Sequence, residues 1–285
     1  MTLRNSTVSE NSAPGFGGGI QNTYGSESTI TDSTVMNNTA GNGGGGISNY
    51  GGHLTITNST LSSNSARDGG GIYNFDSQLT ITNSTLSGNT ASNRGGGIYN
   101  YAPLILTNAT LSGNSAPEGG GLYVFSTSYT PSLSNTLIAN SPAGGNCAGL
   151  THYLTDNGYN LSSDNTCNLA SGNSTNPNLD LLANNGGPTQ THALLAGSLA
   201  IDRIPIGING CDSGATDQRG VARPQGLGCD SGAYEVAVVA DHQPPVVSDL
   251  TATPNPTPPN APVTLTATLD DLTTGNSNIA SAEYN

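Results

Sequence analysis

A glycine triplet followed by an aliphatic residue recurs five times in the first half of this 285-residue chain, and its spacing leaves few folds open. The copies are Gly17-Gly18-Gly19-Ile20, Gly44-Gly45-Gly46-Ile47, Gly69-Gly70-Gly71-Ile72, Gly95-Gly96-Gly97-Ile98 and Gly119-Gly120-Gly121-Leu122. The aliphatic positions are separated by 27, 25, 26 and 24 residues. A repeat of this length is one supersecondary unit that buries its apolar side only by stacking on its neighbours, as in a solenoid. A phosphate-cradling loop is excluded, because no copy carries the Lys such a loop needs and no helical pattern follows.

Upstream of the triplets stands a second fixed element: Asn58-Ser59-Thr60-Leu61-Ser62-Ser63-Asn64, its counterparts at residues 83–89 and 108–114, earlier copies at 5–11 and 32–38, and a degenerate sixth ending at Asn140. Before it comes an alternating run such as Leu54-Thr55-Ile56-Thr57 or Leu79-Thr80-Ile81-Thr82, whose period of two is that of a half-buried strand. Each repeat thus reads as three short strands joined by Asn-rich or Gly-rich corners. Leucine-rich and ankyrin repeats need helices, and propeller blades need about 40 residues or more. The prediction for residues 1–145 is an all-β parallel β-helix with three-strand rungs of about 25 residues.

In such a coil each position lies over its equivalent one rung away, about 4.8 Å distant. Like then stacks on like. Val8, Val35, Leu61, Leu86, Leu111 and Leu137 are predicted to form one inward column, and Ile20, Ile47, Ile72, Ile98 and Leu122 another. Asn11, Asn38, Asn64, Asn89, Asn114 and Asn140 are predicted to form an amide ladder that satisfies corner backbone groups, with Asn22, Asn49, Asn74 and Asn100 forming a second. Tyr24, Tyr50, Phe75, Tyr101 and Phe125 line up as an aromatic column. Beside it, Tyr73, Tyr99 and Tyr123 are the candidate ligand-binding residues, a stripe suited to stacking on sugar rings. Asp68, Arg94 and Glu118 fall on successive rungs with alternating charge. Asn-x-Ser/Thr triplets at Asn5, Asn37, Asn58, Asn83 and Asn108 coincide with the repeat and are read as structure rather than as glycan acceptors.

Low charge with 39 glycines would suggest a disordered linker, were the apolar residues not so strictly periodic. The six basic residues are all Arg and the formal net charge is −13, which argues against nucleic-acid binding and against an anionic membrane surface. No apolar run approaches the roughly 18 residues of a membrane span, so direct membrane insertion is not expected. The four cysteines, Cys147, Cys167, Cys211 and Cys229, lack zinc-site spacing and are expected to form two disulfides. Of the three pairings open to four cysteines, the sequence-local one is preferred: Cys147 with Cys167, and Cys211 with Cys229. An oxidising, extracytoplasmic location follows. Met1-Thr2-Leu3-Arg4-Asn5 matches the interior strand Leu79-Thr80-Ile81-Thr82-Asn83, so further rungs or a cap are expected upstream.

Residues 146–240 lose the glycine corner. Their ordered motifs are Asn185-Gly186-Gly187-Pro188-Thr189-Gln190-Thr191-His192-Ala193-Leu194-Leu195, Gly197-Ser198-Leu199-Ala200-Ile201-Asp202, Asp217-Gln218-Arg219-Gly220 with Arg223-Pro224, and Gly228-Cys229-Asp230-Ser231-Gly232-Ala233-Tyr234-Glu235. Together they resemble the closing segment of bacterial choice-of-anchor Q proteins, and the resemblance covers residues 1 to about 236. It implies a right-handed, pectin-lyase-like β-helix on an exported protein, with terminal rungs and a disulfide-locked cap over the open end of the coil. Ser231 departs from the family, which carries an aliphatic residue there. The glycine and Asn-Ser-Thr repeats alone also resemble polymorphic outer-membrane protein repeats. Cys-Asp-Ser-Gly-Ala occurs at 211–215 and again at 229–233; turn capping by Asp is preferred to calcium binding, since the known calcium-loop spacings are missing. His192 is expected to be packed or hydrogen-bonded rather than catalytic.

Residues 241–285 open on Pro244-Pro245-Val246-Val247, pass through Pro254-Asn255-Pro256-Thr257-Pro258-Pro259 and reach the alternating run from Val263 to Leu269. They resemble the first strands of a bacterial immunoglobulin-like domain, an incomplete β-sandwich, since such a domain takes about 100 residues. A lyase or hydrolase on this fold needs clustered carboxylates, and the acids of residues 1–145 are only Glu10, Glu27, Asp32, Asp68, Asp76 and Glu118, with no Asp-x-Asp pair. The expectation is a non-catalytic, extracellular or cell-surface scaffold or adhesin without a cofactor, whose partner is a surface polysaccharide or a host or neighbouring cell surface. A polysaccharide lyase or hydrolase, and a carbohydrate-binding module using the aromatic stripe, are the alternatives.

Overall fold

The computed structural model describes residues 1–237 and two later strands, Val246–Thr253 and Thr264–Asp270. The chain forms two units, Met1–Val236 and Ala237–Asn285. In the first, short strands wind into a parallel β-solenoid of six rungs and the start of a seventh. Rung three shows the pattern: His53–Thr57, Thr60–Ser62, Ser65–Asp68 and Ile72–Phe75. Their equivalents on other rungs stack into four parallel sheets, here A to D, of seven, seven, four and six strands. Register follows the repeat, with Ile72 between Ile47 and Ile98 and Leu61 between Val35 and Leu86.

Sheet C is a fourth wall where three were expected, present in rungs one to four. It arises from the Ser/Thr-Ala pair after each ladder asparagine. The alanines Ala40, Ala66, Ala91 and Ala116 point inward and are buried, but a short segment with one small inward apolar side chain shows no alternation that would mark it as a strand.

The glycine triplet divides its labour. Gly69 has φ +62°, the left-handed region open to glycine. A Cβ on Gly70 would stand 2.4 Å from the Thr90 carbonyl oxygen and 2.6 Å from that of Gly96, and one on Gly71 2.6 Å from that of Gly97. The first glycine turns the chain; the other two let rungs touch.

Inside, Ile30, Ile47, Ile56, Leu61, Ile72, Ile81, Leu86 and Ile98 are among the fully buried core. The ladder runs from Asn11 through Asn38, Asn64 and Asn89 to Asn114, each side-chain Nδ2 donating to the next Oδ1 at 2.9–3.0 Å. A second ladder joins Asn22, Asn49, Asn74 and Asn100 at 2.7–2.8 Å. A third was not anticipated: the backbone N–H groups of Ser6, Ser33 and Ser59 donate to the hydroxyls of Ser33, Ser59 and Ser84 one rung on. Asn5, Asn58, Asn83 and Asn108 hold φ of 46–50°, so the Asn of the Asn-Ser-Thr element is the corner itself.

One rung departs from the expected register. Leu111 pairs with Ile138, not Leu137, and Thr110 pairs with Leu137. Asn140 therefore lies off the ladder, exposed and at φ 59°, in register with the corner residues Gly88 and Gly113. Ile138 enters the core and Leu137 turns outward, where Leu161, Leu194 and Ala200 bury it.

The segment after the coil does two things where one was expected. Both cysteine pairs form as predicted, Cys147–Cys167 and Cys211–Cys229. Cys147, Cys167 and Leu169, with Leu150 and Leu154 against them, close the end of the core. Residues 179–236 instead fold back along the outer face of sheet B. The Thr60 hydroxyl donates to the Gln190 carbonyl at 2.6 Å, the Thr85 hydroxyl to Gln218 Oε1 at 2.7 Å, and the Ala233 N–H to Thr110 Oγ1 at 3.0 Å. This explains why Thr60, Thr85 and Thr110, outward on their strands, are buried. Short antiparallel pairs, such as Leu179–Ala183 with Thr191–Leu194, brace the returning segment.

In the second unit Val246–Thr253 and Thr264–Asp270 pair antiparallel. Pro244-Pro245, the Pro254 to Pro259 stretch and Val263 lie outside the described residues.

Candidate functional site

Sheet D alternates inward and outward: in Ile72–Phe75, Ile72 and Asn74 are buried, while Tyr73 and Phe75 face out. Repetition places two aromatic columns side by side on that face. Tyr73, Tyr99 and Tyr123 stack with centroids 5.0 and 5.5 Å apart and planes within 14°. Tyr24, Tyr50, Phe75, Tyr101 and Phe125 form the second column, at 4.8–5.4 Å. Phe75 lies 6.1 Å from Tyr73, joining the columns, and Phe16 packs on Tyr73 at 5.3 Å. All three phenylalanines of the chain are in this patch.

Stacking along the coil axis changes what the tyrosine stripe offers. A sugar stacks on an open ring face, but the faces of Tyr99 are taken by Tyr73 and Tyr123. Tyr123 is itself buried, with the Arg94 guanidinium 5.0 Å from its ring centre and Arg94 paired to Glu118 at 3.1 Å. Asp68, in register with Arg94, instead accepts from Asn93 Nδ2 at 2.8 Å. The three tyrosines are therefore brought together as a stack, not laid out as a platform. Burial, reinforced by Tyr73, Asp68 and Tyr123, pushes the Tyr99 phenol up to about 12 against the lowering pull of Arg94, and burial likewise raises Tyr73. The phenols stay neutral at physiological pH.

Toward the first rung the stack stops. Tyr73 is in register with Ser48, and Ser48 with Gln21. Phe16 packs there instead, 5.3 Å from Tyr73, and a trough of about 410 Å³ is lined by Phe16, Gln21, Ser48, Tyr50, Tyr73 and Phe75. The Ser48 hydroxyl is fully buried and has no hydrogen-bond partner. Phe16, Gln21 and Ser48 were not singled out in the sequence; the signal was the break in the tyrosine column at Ser48. A second, polar trough of about 290 Å³ lies on sheet A, where Glu27, His53 and Gln78 run beside Thr29, Thr55 and Thr80.

The motif residues of the closing segment meet away from both troughs. Asp217, fully buried, accepts from the N–H groups of Arg219, Val221 and Glu235 at 2.8–2.9 Å and pairs with the Arg219 guanidinium at 2.7 Å. Arg219 lies 3.6 Å over the Tyr234 ring. Arg223 pairs with Glu235 at 2.9 Å, both buried. Burial pushes the Glu235 carboxyl up, to about 7, against the lowering effect of the Asp230 N–H and Arg223. Asp230 accepts the N–H groups of Asp202 and Val236. These carboxylate oxygens are spent on turns and ion pairs, as capping requires. Ser231 is buried, its hydroxyl donating to the Tyr159 carbonyl at 2.7 Å. His192 sits between the returning segment and the coil, with Nδ1 2.7 Å from the Asp180 carbonyl and Nε2 2.9 Å from Ser87 Oγ.

The family model of the Chlamydia polymorphic membrane protein repeat matches residues 83–101, one rung from the corner Asn83 through the ladder residue Asn89 and the glycine triplet to Tyr99 and Tyr101. No curated protein and no solved structure matches the chain.

Proposed function

We propose that this chain is part of an exported bacterial cell-surface protein whose coil serves as a non-catalytic scaffold with an adhesive role. The observation that carries the reading is the aromatic face of sheet D, eight rings in two adjoining columns across five rungs with Phe16 packed beside them. Exposed aromatic surface of that extent on a rigid wall is costly to leave in water and marks an interaction site. The match of one rung to the Chlamydia polymorphic membrane protein repeat supports surface display, and the two disulfides support an oxidising compartment. The ordered motifs of residues 185–235 support membership of the choice-of-anchor Q group. The hairpin of Val246–Thr253 with Thr264–Asp270 supports the start of an immunoglobulin-like domain. The partner in this reading is a surface polysaccharide or a host or neighbouring cell surface.

The test is display. Intact cells producing the full-length protein are treated with external protease, and the remaining coil is followed by antibody. Loss of the signal without lysis is the expected result. A coil that stays protected until the envelope is breached, with its cysteines labelled as free thiols, refutes the surface role. Incubation with pectate and alginate while following unsaturated and reducing ends checks the non-catalytic part; turnover at enzyme-like rates overturns it.

A further inference from the structure

Rung two departs from the repeat at both ends of its sheet B strand. The corner residue is Asn5, Asn58, Asn83, Asn108 or Asn135 on the other rungs but Asp32 here, with the same positive φ, 49°. Four residues on, Met36 stands in register with Ser9 on one side and Ser62 on the other, a position that is serine again at Ser87 and Ser112. Asparagine and serine serve the coil at these two places on rungs one, three, four and five, so the fold does not require the exchange.

Both exchanges fall where the returning segment stops. On rungs three to five its polar groups answer the outward threonines: Thr60 donates to the Gln190 carbonyl and accepts from Gln218 Nε2 at 2.9 Å, Thr85 donates to Gln218 Oε1, and Thr110 accepts from the Ala233 N–H. Thr34 and Thr7 continue that column to rungs two and one. Thr7 is exposed and Thr34 half-buried, and neither hydroxyl makes a hydrogen bond among the described residues. Over them lies an open groove of about 350 Å³ lined by Thr7, Thr34, Met36, Asn184, Pro188 and Gln190. An adjoining hollow of about 140 Å³ shares Thr7, Thr34 and Pro188 with it and brings in Asp32. The hairpin turn that forms the lip is held from several sides. Thr189 Oγ1 donates to the Asn58 carbonyl at 3.0 Å, Arg219 Nη1 to the Asn185 carbonyl at 3.2 Å, and Asn185 Nδ2 to the Thr191 carbonyl at 2.9 Å. The groove is thus formed before anything enters it, which lowers the ordering cost of binding.

The covered rungs show what this face accepts: polypeptide, offering backbone carbonyls, backbone N–H groups and amide side chains to the threonine column. The corner decides the charge. On rung four Asn83 Nδ2 donates to the Thr216 carbonyl of the returning segment. Asp32, in the equivalent place, can only accept, and among the described residues it has no ion-pair partner. An occupant of rung two must therefore bring donors to Asp32, and a guanidinium or ammonium does so best. Met36 and Pro188 offer an apolar surface beside it, and methionine adapts its shape to what packs on it. The net charge of −13 favours a basic partner.

We infer that this groove binds an extended peptide that carries a basic side chain, its backbone lying over Thr34 and Thr7 and its cation paired with Asp32. The inference goes beyond the adhesive reading and does not depend on the aromatic face.

The experiment presents the full chain to two arrays of short peptides rich in Thr, Gln and Val, one set with a central Arg and the other with Glu in its place; peptides that retain the chain are then titrated in solution by fluorescence anisotropy. Members of the Arg set are expected to bind saturably with a Kd on the order of 0.1 mM or tighter, and the Glu set not to bind. Asp32→Asn is expected to weaken binding about tenfold and Met36→Ser about threefold. Each change gives rung two the residue its neighbours carry, so the double variant is expected to melt as the parent does and to lose binding. Affinity should fall as salt is raised, since the pair is accessible to solvent. Thr80→Ala on sheet A should leave it unchanged. No saturable binding by any Arg peptide, equal binding by the Glu set, or binding that survives the double variant overturns the assignment. So does a groove that takes cellopentaose in place of the peptides and loses it in the double variant. A displayed chain that binds no peptide refutes this site alone; a chain that binds peptide but is not displayed refutes the surface role alone.

Discussion

Replacing Asn89 by alanine tests whether the amide ladder is a structural spine or a by-product of repetition. Asn89 is fully buried and its side chain makes four hydrogen bonds. Oδ1 accepts from the Asn64 N–H at 3.0 Å and from Asn64 Nδ2 at 2.9 Å; Nδ2 donates to the Leu61 carbonyl at 3.0 Å and to Asn114 Oδ1 at 2.9 Å. Truncation leaves Asn64 Nδ2 its bond to the Val35 carbonyl, and Asn114 Oδ1 its bond from the Asn89 N–H. The Asn64 N–H is left stranded inside the coil. One orphaned buried donor costs about 1–3 kcal/mol and the remaining lost bonds add about 0.5–1.5 kcal/mol each before relaxation, so about 3–5 kcal/mol is expected. The comparison is Asn11→Ala at the exposed end of the same ladder. Asn11 Nδ2 donates to the Ser9 carbonyl and Asn38 Oδ1, and its N–H keeps Asn38 Oδ1 after truncation. That change should cost about 1 kcal/mol or less. Urea unfolding followed by circular dichroism reads both as midpoint shifts at unchanged slope, with hydrogen exchange at the Asn64 amide as the local report. If Asn89→Ala costs no more than Asn11→Ala, the ladder does not carry the energy assigned to it.

Other perturbations separate the remaining contributions. Gly70→Ala drives a Cβ into two carbonyl oxygens of the next rung and should destabilise by more than about 3 kcal/mol. Gly88→Ala, at φ +61° with open space around it, should cost only about 1–2 kcal/mol on thermal or urea unfolding. Ala109→Ser is expected to stabilise by about 1 kcal/mol in the same assay, because Ala109 interrupts the serine ladder one rung beyond Ser84. His192 is held below its ordinary pKa by burial, despite the Asp180 carbonyl. The unfolded chain therefore binds the proton first, and stability present above about pH 6.5 is lost as pH falls below it, by at most about 1.4 kcal/mol per pH unit. His192→Gln should flatten that part of the urea-midpoint profile; an unchanged slope would refute the account.

The coil was legible because stacking makes its sequence redundant: five copies of Gly-Gly-Gly-Ile and the Asn-Ser-Thr element fix rung length, corners and two of the three ladders. What sequence missed was missed for physical reasons. Leu137 and Ile138 are both apolar, and only the returning segment, which buries Leu137 from outside, decides which one faces the core. The serine ladder was hidden because Ser is an unremarkable residue in an Asn-Ser-Thr triplet until its hydroxyl is seen to accept from the backbone of the preceding rung. The return of residues 179–236 along sheet B depends on hydroxyl and amide contacts of Thr60, Thr85 and Gln218, which carry no periodic signal. At the candidate site, the tyrosines were visible as a column, but the direction of their rings was not, and the break at Ser48 acquired meaning only beside Phe16 and Tyr50.

The returning segment also sets an order of events. Rungs contact their neighbours at separations near 25 residues, so they can close one after another as the chain emerges. The contacts from Thr60 to Gln190 and to Gln218 span 130 and 158 residues. Until that late segment exists, the outward hydroxyls of Thr60, Thr85 and Thr110 face water and each rung leans only on the next. Its arrival clasps rungs three, four and five together and turns a zipper into a single block. Refolding should therefore show a fast winding phase followed by a slower latching phase, and a chain ending before residue 189 should wind but fray rung by rung.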